Sequence, residues 1–385
     1  MRICLVGLDN LPMLVPGYEQ DFLGGESVQQ TLLARALVRR GVDVRMIVSD
    51  CGQRDGAAWD SIRVFKAYRP DAGLPVLRFI HPRWTGLWSA LARADADIYY
   101  TSCAGMQAGL LALFCKRHRR KFVFRCASDS DCDRSRLLVE FARDRWLYAY
   151  GLRHADAILV QSAEQAGTLA SSFGLKGRMA GMLVEPPAAC APVRDIDVLW
   201  VSNIRRVKRP DRILELARIM PTVKFHMAGG PVSGEEPLFE DIANRAASLS
   251  NVTFHGRLPY RETNDLYAKA RVLVNTSAVE GFPNSYLQSW IRGVPVVTLI
   301  DPDGVIADED LGVAAKHPVE IAGAVSHLLS DQSAWLAASD RCRQFMAREY
   351  GEDKVLAAYL DTFAEILRPA YPPSSMNLRD DAHHV

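Results

Sequence analysis

A chain of 385 residues, 49% of them hydrophobic, is longer than one compact core usually serves and points to two domains of about 100–200 residues each. Lysine plus arginine number 46 against 45 aspartate plus glutamate, so no overall charge recruits nucleic acid. Eight scattered cysteines, with Cys126 and Cys132 the closest pair, match neither a zinc knuckle nor a disulfide scaffold and suit a reducing cytosol.

Residues 3–7 predict a buried parallel strand, and the apolar run there is too brief for a leader peptide. Leu23-Gly24-Gly25-Glu26-Ser27 then introduces a helix with Val28, Leu32, Leu33, Ala36 and Leu37 at helical spacing, closed by Gly41. A strand over 42–48 completes a βαβ unit, which implies a right-handed crossover and a parallel sheet. Further strands are expected over 98–101, 122–125 and 158–161, with helices between them. The longest nearly apolar run, 104–115, is too short to span a bilayer.

The prolines from Glu185-Pro186-Pro187 to Pro192 break the pattern and predict a linker. A second series follows: strands over 198–202, 224–228, 252–255 and 272–276 alternate with helices over 211–220, 237–248 and 263–270. The domains are therefore expected at 1–188 and 195–350. A helix over 353–366 comes late, and residues 367–385 read as a disordered tail.

The most informative stretch is EGFPNSYLQSWIRGVPVV, from Glu280 to Val297. Glu280 closes an apolar strand, and Gly281-Phe282-Pro283-Asn284 opens a short helix that ends at Gly293. Backbone N–H groups at a helix start lack partners and carry the positive end of the helix dipole, which suits phosphate or sugar oxygens. Glu280 can accept hydrogen bonds from sugar hydroxyls, and Gln288 lies one turn beyond Ser285. Such an arrangement suits a nucleotide sugar.

This stretch resembles the signature of the group 1 (family 4) retaining glycosyltransferases, which implies an α/β chain with the GT-B fold: two doubly wound, Rossmann-like parallel-sheet domains facing a cleft. Glu280, Gly281, Phe282, Pro283, Gly293 and Pro295 fit the pattern. Gln288 stands where the family has a second Glu that holds ribose, and keeps an acceptor oxygen there. The resemblance implies an acceptor-side first domain, a nucleotide-sugar-binding second domain, and a late helix packing back on the first.

It further implies that the turn after residues 198–202 carries cations for the departing diphosphate. Lys208 matches the family Lys; Asn203 stands in place of the family Arg, with Arg205, Arg206 and Arg209 close by. Glu280, Lys208 and Arg206 are the expected catalytic residues. Gly24, Gly25, Asn203, Gly281, Phe282, Pro283, Asn284 and Gln288 are the expected donor contacts. Many family members carry a sugar-contacting His near residue 130. This chain has none between His118 and His154, and Ser128 or Asp129 is the expected substitute for that contact with sugar or acceptor.

Asp129-Ser130-Asp131 and Asp131-Cys132-Asp133 each spell the D-x-D of metal-dependent transferases, but the GT-B context favours protein cations over a metal, so no metal or other cofactor is expected. Trp84, Leu87, Trp88 and Leu91 share one helical face near Arg78 and Arg83, and 116–121 is a basic run. We read the aromatics as core and the charges as a solvated helix end. The alternative is peripheral contact of regions 78–91 and 116–121 with the inner face of a cell membrane. His226 and His255 read as hydrogen-bonded core histidines.

The expectation is a cytoplasmic transferase moving a sugar from a nucleotide sugar to a saccharide, lipid-linked or small-molecule acceptor, in surface polysaccharide or glycoconjugate synthesis, with no nucleic-acid partner. The rivals are an inactive nucleotide-sugar-binding protein, given the departures at Asn203, Gln288 and the missing His, and a nucleotide-sugar epimerase.

Overall fold

A computed structural model describes residues 1–15, 17–18, 24–75, 77–187 and 193–368. Leu23, residues 188–192 of the expected linker and the expected tail from Pro369 lie outside the described residues.

Eight strands build the first sheet: β1 (Arg2–Val6), β2 (Asp43–Val48), β3 (Ala58–Trp59), β4 (Ile62–Lys66), β5 (Ile98–Ser102), β6 (Lys121–Arg125), β7 (Ala157–Val160) and β8 (Arg178–Met179). Their order is β3-β4-β2-β1-β5-β6-β7-β8, and only the β3–β4 pairing is antiparallel. Side chains alternate across a strand, so both faces of a covered sheet must be apolar. In β1, Ile3 and Leu5 enter one core layer while Cys4 and Val6 enter the other.

The second sheet comprises β9 (Ile196–Val201), β10 (Phe225–Ala228), β11 (Val252–Phe254), β12 (Ala270–Asn275), β13 (Val296–Thr298) and β14 (Gly312–Ala314). It runs β11-β10-β9-β12-β13-β14 and is parallel throughout. Val198 and Trp200 pack on one face and Leu199 on the other. This is the doubly wound α/β architecture expected from the alternation of apolar runs.

The helix Glu352–Leu367 crosses back to the first sheet. Its Val355, Leu356, Tyr359 and Phe363 join Ile3 and Leu5 in one core. Full burial of a large apolar side chain contributes about 1.5–3 kcal/mol, so this helix ties the chain end firmly to the first sheet. Gln29 adds a two-way tie: its amide donates to the Leu183 carbonyl at 2.9 Å and accepts from the Leu183 N–H at 3.0 Å.

In a doubly wound sheet, connections diverge to opposite faces where the strand order reverses, and a crevice opens beyond the strand ends. That reversal falls at β1 and β5 in the first sheet and at β9 and β12 in the second. Loops leaving these strands face each other.

Candidate functional site

Those loops enclose a cleft of about 670 Å³ lined from both sheets. Glu280 follows β12 and Lys208 follows β9. Tertiary hydrogen bonds bring these residues together although they are 72 positions apart. The Thr276 hydroxyl donates to the Lys208 carbonyl at 2.8 Å and accepts from Trp200 Nε1 at 2.9 Å. The Ala278 N–H donates to the Val207 carbonyl at 2.8 Å. Lys208 Nζ consequently donates to Glu280 Oε2 at 2.6 Å. Ser277 Oγ donates to the other oxygen at 2.6 Å, and Asn275 Nδ2 reaches it at 3.5 Å. Both partners of the ion pair are largely shielded from solvent, so the attraction is little screened by salt.

Gly281 lets the two sheets approach. A Cβ there would lie 2.7 Å from Gln165 Nε2 and 3.0 Å from the Ala127 carbonyl. Beside it, the Phe282 N–H donates to Gln161 Oε1 at 3.1 Å, so one amide of the turn is spent across the cleft. Asn284 Nδ2 donates to the Gly25 carbonyl at 2.7 Å. Asp303 adds a third bridge, accepting from the Ala163 and Glu164 N–H groups at 2.8 and 3.1 Å.

Gly24, Gly25, Asn203, Gly281, Phe282, Pro283, Asn284 and Gln288 all line the cleft, as do Lys208 and Glu280. Arg206 does not. Its side chain is exposed and its N–H donates to Glu235 Oε2 at 2.6 Å, while Arg205 occupies the lining position. The turn Arg206–Lys208 is a single tight helical turn, in which adjacent side chains point to different sides.

Gln288 is buried at 4% exposure and held at both ends of its amide. Nε2 donates to the Tyr260 hydroxyl at 2.8 Å, and Oε1 accepts from Arg292 Nη1 at 2.9 Å. One lone pair on Oε1 and one N–H remain for a ligand.

Ser128 lines the cleft and caps the short helix Asp129–Cys132. Asp129 turns toward Gln165, whose Nε2 donates to Oδ1 at 3.0 Å. Burial, reinforced by the neighbouring Glu164, Glu280 and Asp303 charges, pushes its pKa up to about 6 against the Gln165 hydrogen bond. Asp131 accepts from the Ala127, Ser128 and Ala104 N–H groups at 2.8, 3.1 and 3.3 Å, and burial raises its pKa to about 6 despite those donors. The two carboxylates of this triplet thus serve different protein donors. His226 Nδ1 and His255 Nε2 lie 2.9 Å apart in a hydrogen bond, and burial lowers both pKa values.

Sequence reading missed Gln161, Gln165, Asp303, Asp9 and Glu26. Glu26 stands in the glycine turn but signalled no role there; Gln161 and Asp303 act through hydrogen bonds between the two halves of the chain, and Gln165 holds Asp129 beside Gly281. Leu87 and Leu91 are fully buried, and Trp88 packs edge-on against Phe114, so that aromatic face is core. Among the described residues, no helix is long and apolar enough to cross a membrane.

Known proteins share this fold. A comparison with curated protein sequences returns no match. The chain is similar in structure to sucrose-phosphate synthase from Thermosynechococcus elongatus (TM-score 0.76, 17% identity, covering 95% of this chain and 99% of that one). It is also similar to Anabaena HepE, solved with UDP and glucose (TM-score 0.72, 14% identity, 95% and 100% covered). A third likeness is to a glycosyltransferase from Rickettsia africae (TM-score 0.67, 13% identity, 96% and 99% covered). These identities speak to the fold, which is GT-B. Residues 24–180 match the model of the glycosyl transferase 4-like domain, and residues 195–331 match that of the glycosyl transferases group 1. With both halves of the cleft matched, the chain belongs to the group 1 glycosyltransferases.

Proposed function

We propose that the chain transfers a sugar from a nucleotide sugar to an acceptor hydroxyl with retention of anomeric configuration. The observation that carries this reading is the Lys208–Glu280 pair, 2.6 Å apart in a cleft walled by both sheets. Lys208, with Arg205 on the same wall, neutralises the diphosphate as charge develops on it, an interaction strongest in the transition state. Glu280 positions the sugar hydroxyls and Gln288 holds the ribose. The acceptor oxygen bonds to the anomeric carbon on the face that the diphosphate leaves. The bond from that carbon to the phosphate oxygen breaks, its electron pair stays with the diphosphate, and a diphosphate oxygen takes the acceptor proton. In this scheme protein cations do the work of a metal.

UDP in the HepE structure supports testing a uridine donor first. The direct test incubates the full chain with UDP-, GDP- and ADP-sugars and a mixed acceptor set, then reads the product's anomeric coupling by proton NMR. An α-linked donor should give an α-linked product. A β-linked product would overturn retention, and an epimerised donor without acceptor would support an isomerase instead. Surface polysaccharide or glycoconjugate synthesis at the cytoplasmic side is the setting this reaction suits.

A second observation favours membrane contact at a site other than the buried face described above. Leu77, Ile80, Leu138, Phe141 and Trp146 are all more than half exposed. The Arg143 guanidinium sits 3.4 Å over the Phe79 ring and joins the two segments, with Arg78 and Arg83 alongside. Leu138 also lines the cleft. Cosedimentation with vesicles containing phosphatidylglycerol, lost in Ile80→Ser with Phe141→Ser, would support this contact; equal pelleting of wild type and double variant would reject it.

A further inference from the structure

The two walls of the cleft differ in charge. Among the described residues, the cations lining it, Arg205, Lys208 and Arg257, come from the second sheet's side. The first sheet's side contributes Asp9, Glu26 and Asp131 and, among the described residues, no Lys, Arg or His. The sequence itself holds none of these three from Ile3 to Ala34, which covers the loop after β1 and the Gly24-Gly25 turn whole.

The three carboxylates are not equivalent. Glu26 is balanced by buried Arg125, whose Nη1 donates to its Oε2 at 2.7 Å. Asp131 is turned onto three backbone N–H groups. Asp9 has neither an ion pair nor a hydrogen bond among the described residues and is open to the cleft. It projects from the end of β1, and the chain beneath it is fixed. Asn10 Nδ2 donates to Gln30 Oε1 at 2.9 Å, and Gln30 Nε2 donates to Ser102 Oγ at 2.5 Å. Asn10 and Gln30 are 1% and 3% exposed, so the residue next to Asp9 is held in a buried, hydrogen-bonded network.

The family resemblance makes this the acceptor-side wall, and we propose that it selects a polyhydroxylated group with no phosphate or carboxylate beside the accepting hydroxyl, with Asp9 as the specificity-determining residue. The proposal rests on the transferase reading above. A carboxylate accepts hydrogen bonds from two hydroxyls, which suits a neutral sugar or polyol. A phosphate or carboxylate on the acceptor would face Asp9 with no cation lining its own wall among the described residues, Arg125 being buried against Glu26. Of the cations opposite, Lys208 and Arg205 are engaged by the donor diphosphate in that reading, and Arg257 donates to the Pro231 carbonyl at 2.7 Å. Such like-charge opposition is how a site rejects a competitor while leaving the preferred ligand's contacts intact.

The test uses matched acceptor pairs with the full chain and whichever nucleotide sugar it consumes: glucose and glucose 6-phosphate, fructose and fructose 6-phosphate, galactose and galacturonate, glycerol and glycerol 3-phosphate. We expect kcat/KM at least tenfold higher for the neutral member of any pair that is used. Asp9→Asn should narrow that ratio and Asp9→Lys should reverse it. Preference for the anionic members, or an unchanged ratio in Asp9→Lys, overturns the proposal.

If no donor is consumed with any acceptor, the transferase reading fails, and the charge selection is still decided by binding. With UDP saturating, glucose 6-phosphate should leave the melting temperature of the wild type unchanged and raise that of Asp9→Lys. A rise in the wild type, or none in the variant, overturns the proposal on binding alone.

Discussion

Gln288 offers the sharpest quantitative test because its amide is held from two sides. Replacement by Leu preserves approximate volume but removes both hydrogen bonds. The Tyr260 hydroxyl loses the donor at 2.8 Å. Arg292 Nη1 loses one of two acceptors and keeps the Gln288 carbonyl at 2.9 Å. Leaving buried groups unpaired costs about 1–3 kcal/mol, so Gln288→Leu should melt several degrees below wild type by differential scanning fluorimetry. Gln288→Glu behaves oppositely. Its carboxylate accepts from both Tyr260 and Arg292, and the charge compensates an arginine whose pKa burial has lowered. That variant should melt at or above the wild-type temperature. If the remaining lone pair of Oε1 serves the donor ribose, Gln288→Leu also weakens donor binding by about 1 kcal/mol, roughly fivefold by calorimetry. An unchanged melting temperature in Gln288→Leu would refute the packing argument. Unchanged donor affinity would place Gln288 behind the site.

Two further outcomes follow from the charged groups. Lys208→Ala should lower kcat by about a hundredfold or more with little change in KM, and transfer by the wild type should persist in excess EDTA; loss of activity on chelation, restored by magnesium or manganese, would return the chemistry to a metal. Asp129 carries a pKa raised to about 6, so its folded form holds the proton more tightly than the unfolded chain. Its contribution to stability is complete below the ordinary carboxylate value near 4 and is lost as pH rises through about 6. Asp129→Asn should therefore stabilise relative to wild type more at pH 7.5 than at pH 5, in paired thermal melts. Equal shifts at both pH values would contradict the assigned pKa.

The parallel strands were legible because a strand covered on both faces must be a continuous apolar run, and such runs as those ending β1, β7 and β12 have few alternative readings. The pair β3 and β4 escaped. Its turn places Asp60 and Ser61 at φ 49° and 62°, a conformation for which glycine is the usual sequence signal and none is present. Strand β8 has two residues, both exposed, and leaves no periodicity to read. In the cleft, Glu280 and Lys208 could be named because each stands at fixed spacing in a motif. That Arg205 rather than Arg206 lines the cleft was not legible, because a tight turn has no repeat from which to read side-chain direction. Gln161 and Phe282, 121 positions apart, meet through one side chain and one amide, and no local pattern encodes that contact.

The central claim is that the cleft around Glu280 performs sugar transfer, and the most direct measurement is single-turnover transfer by Glu280→Gln beside its donor affinity. This substitution keeps the shape and a hydrogen-bonding oxygen for Ser277 while removing the charge that faces Lys208 at 2.6 Å. Donor binding should stay within a few-fold of wild type while the transfer rate falls about a hundredfold or more, a loss of about 2.7 kcal/mol or more from transition-state stabilisation. Transfer at near wild-type rate by a folded Glu280→Gln would contradict it.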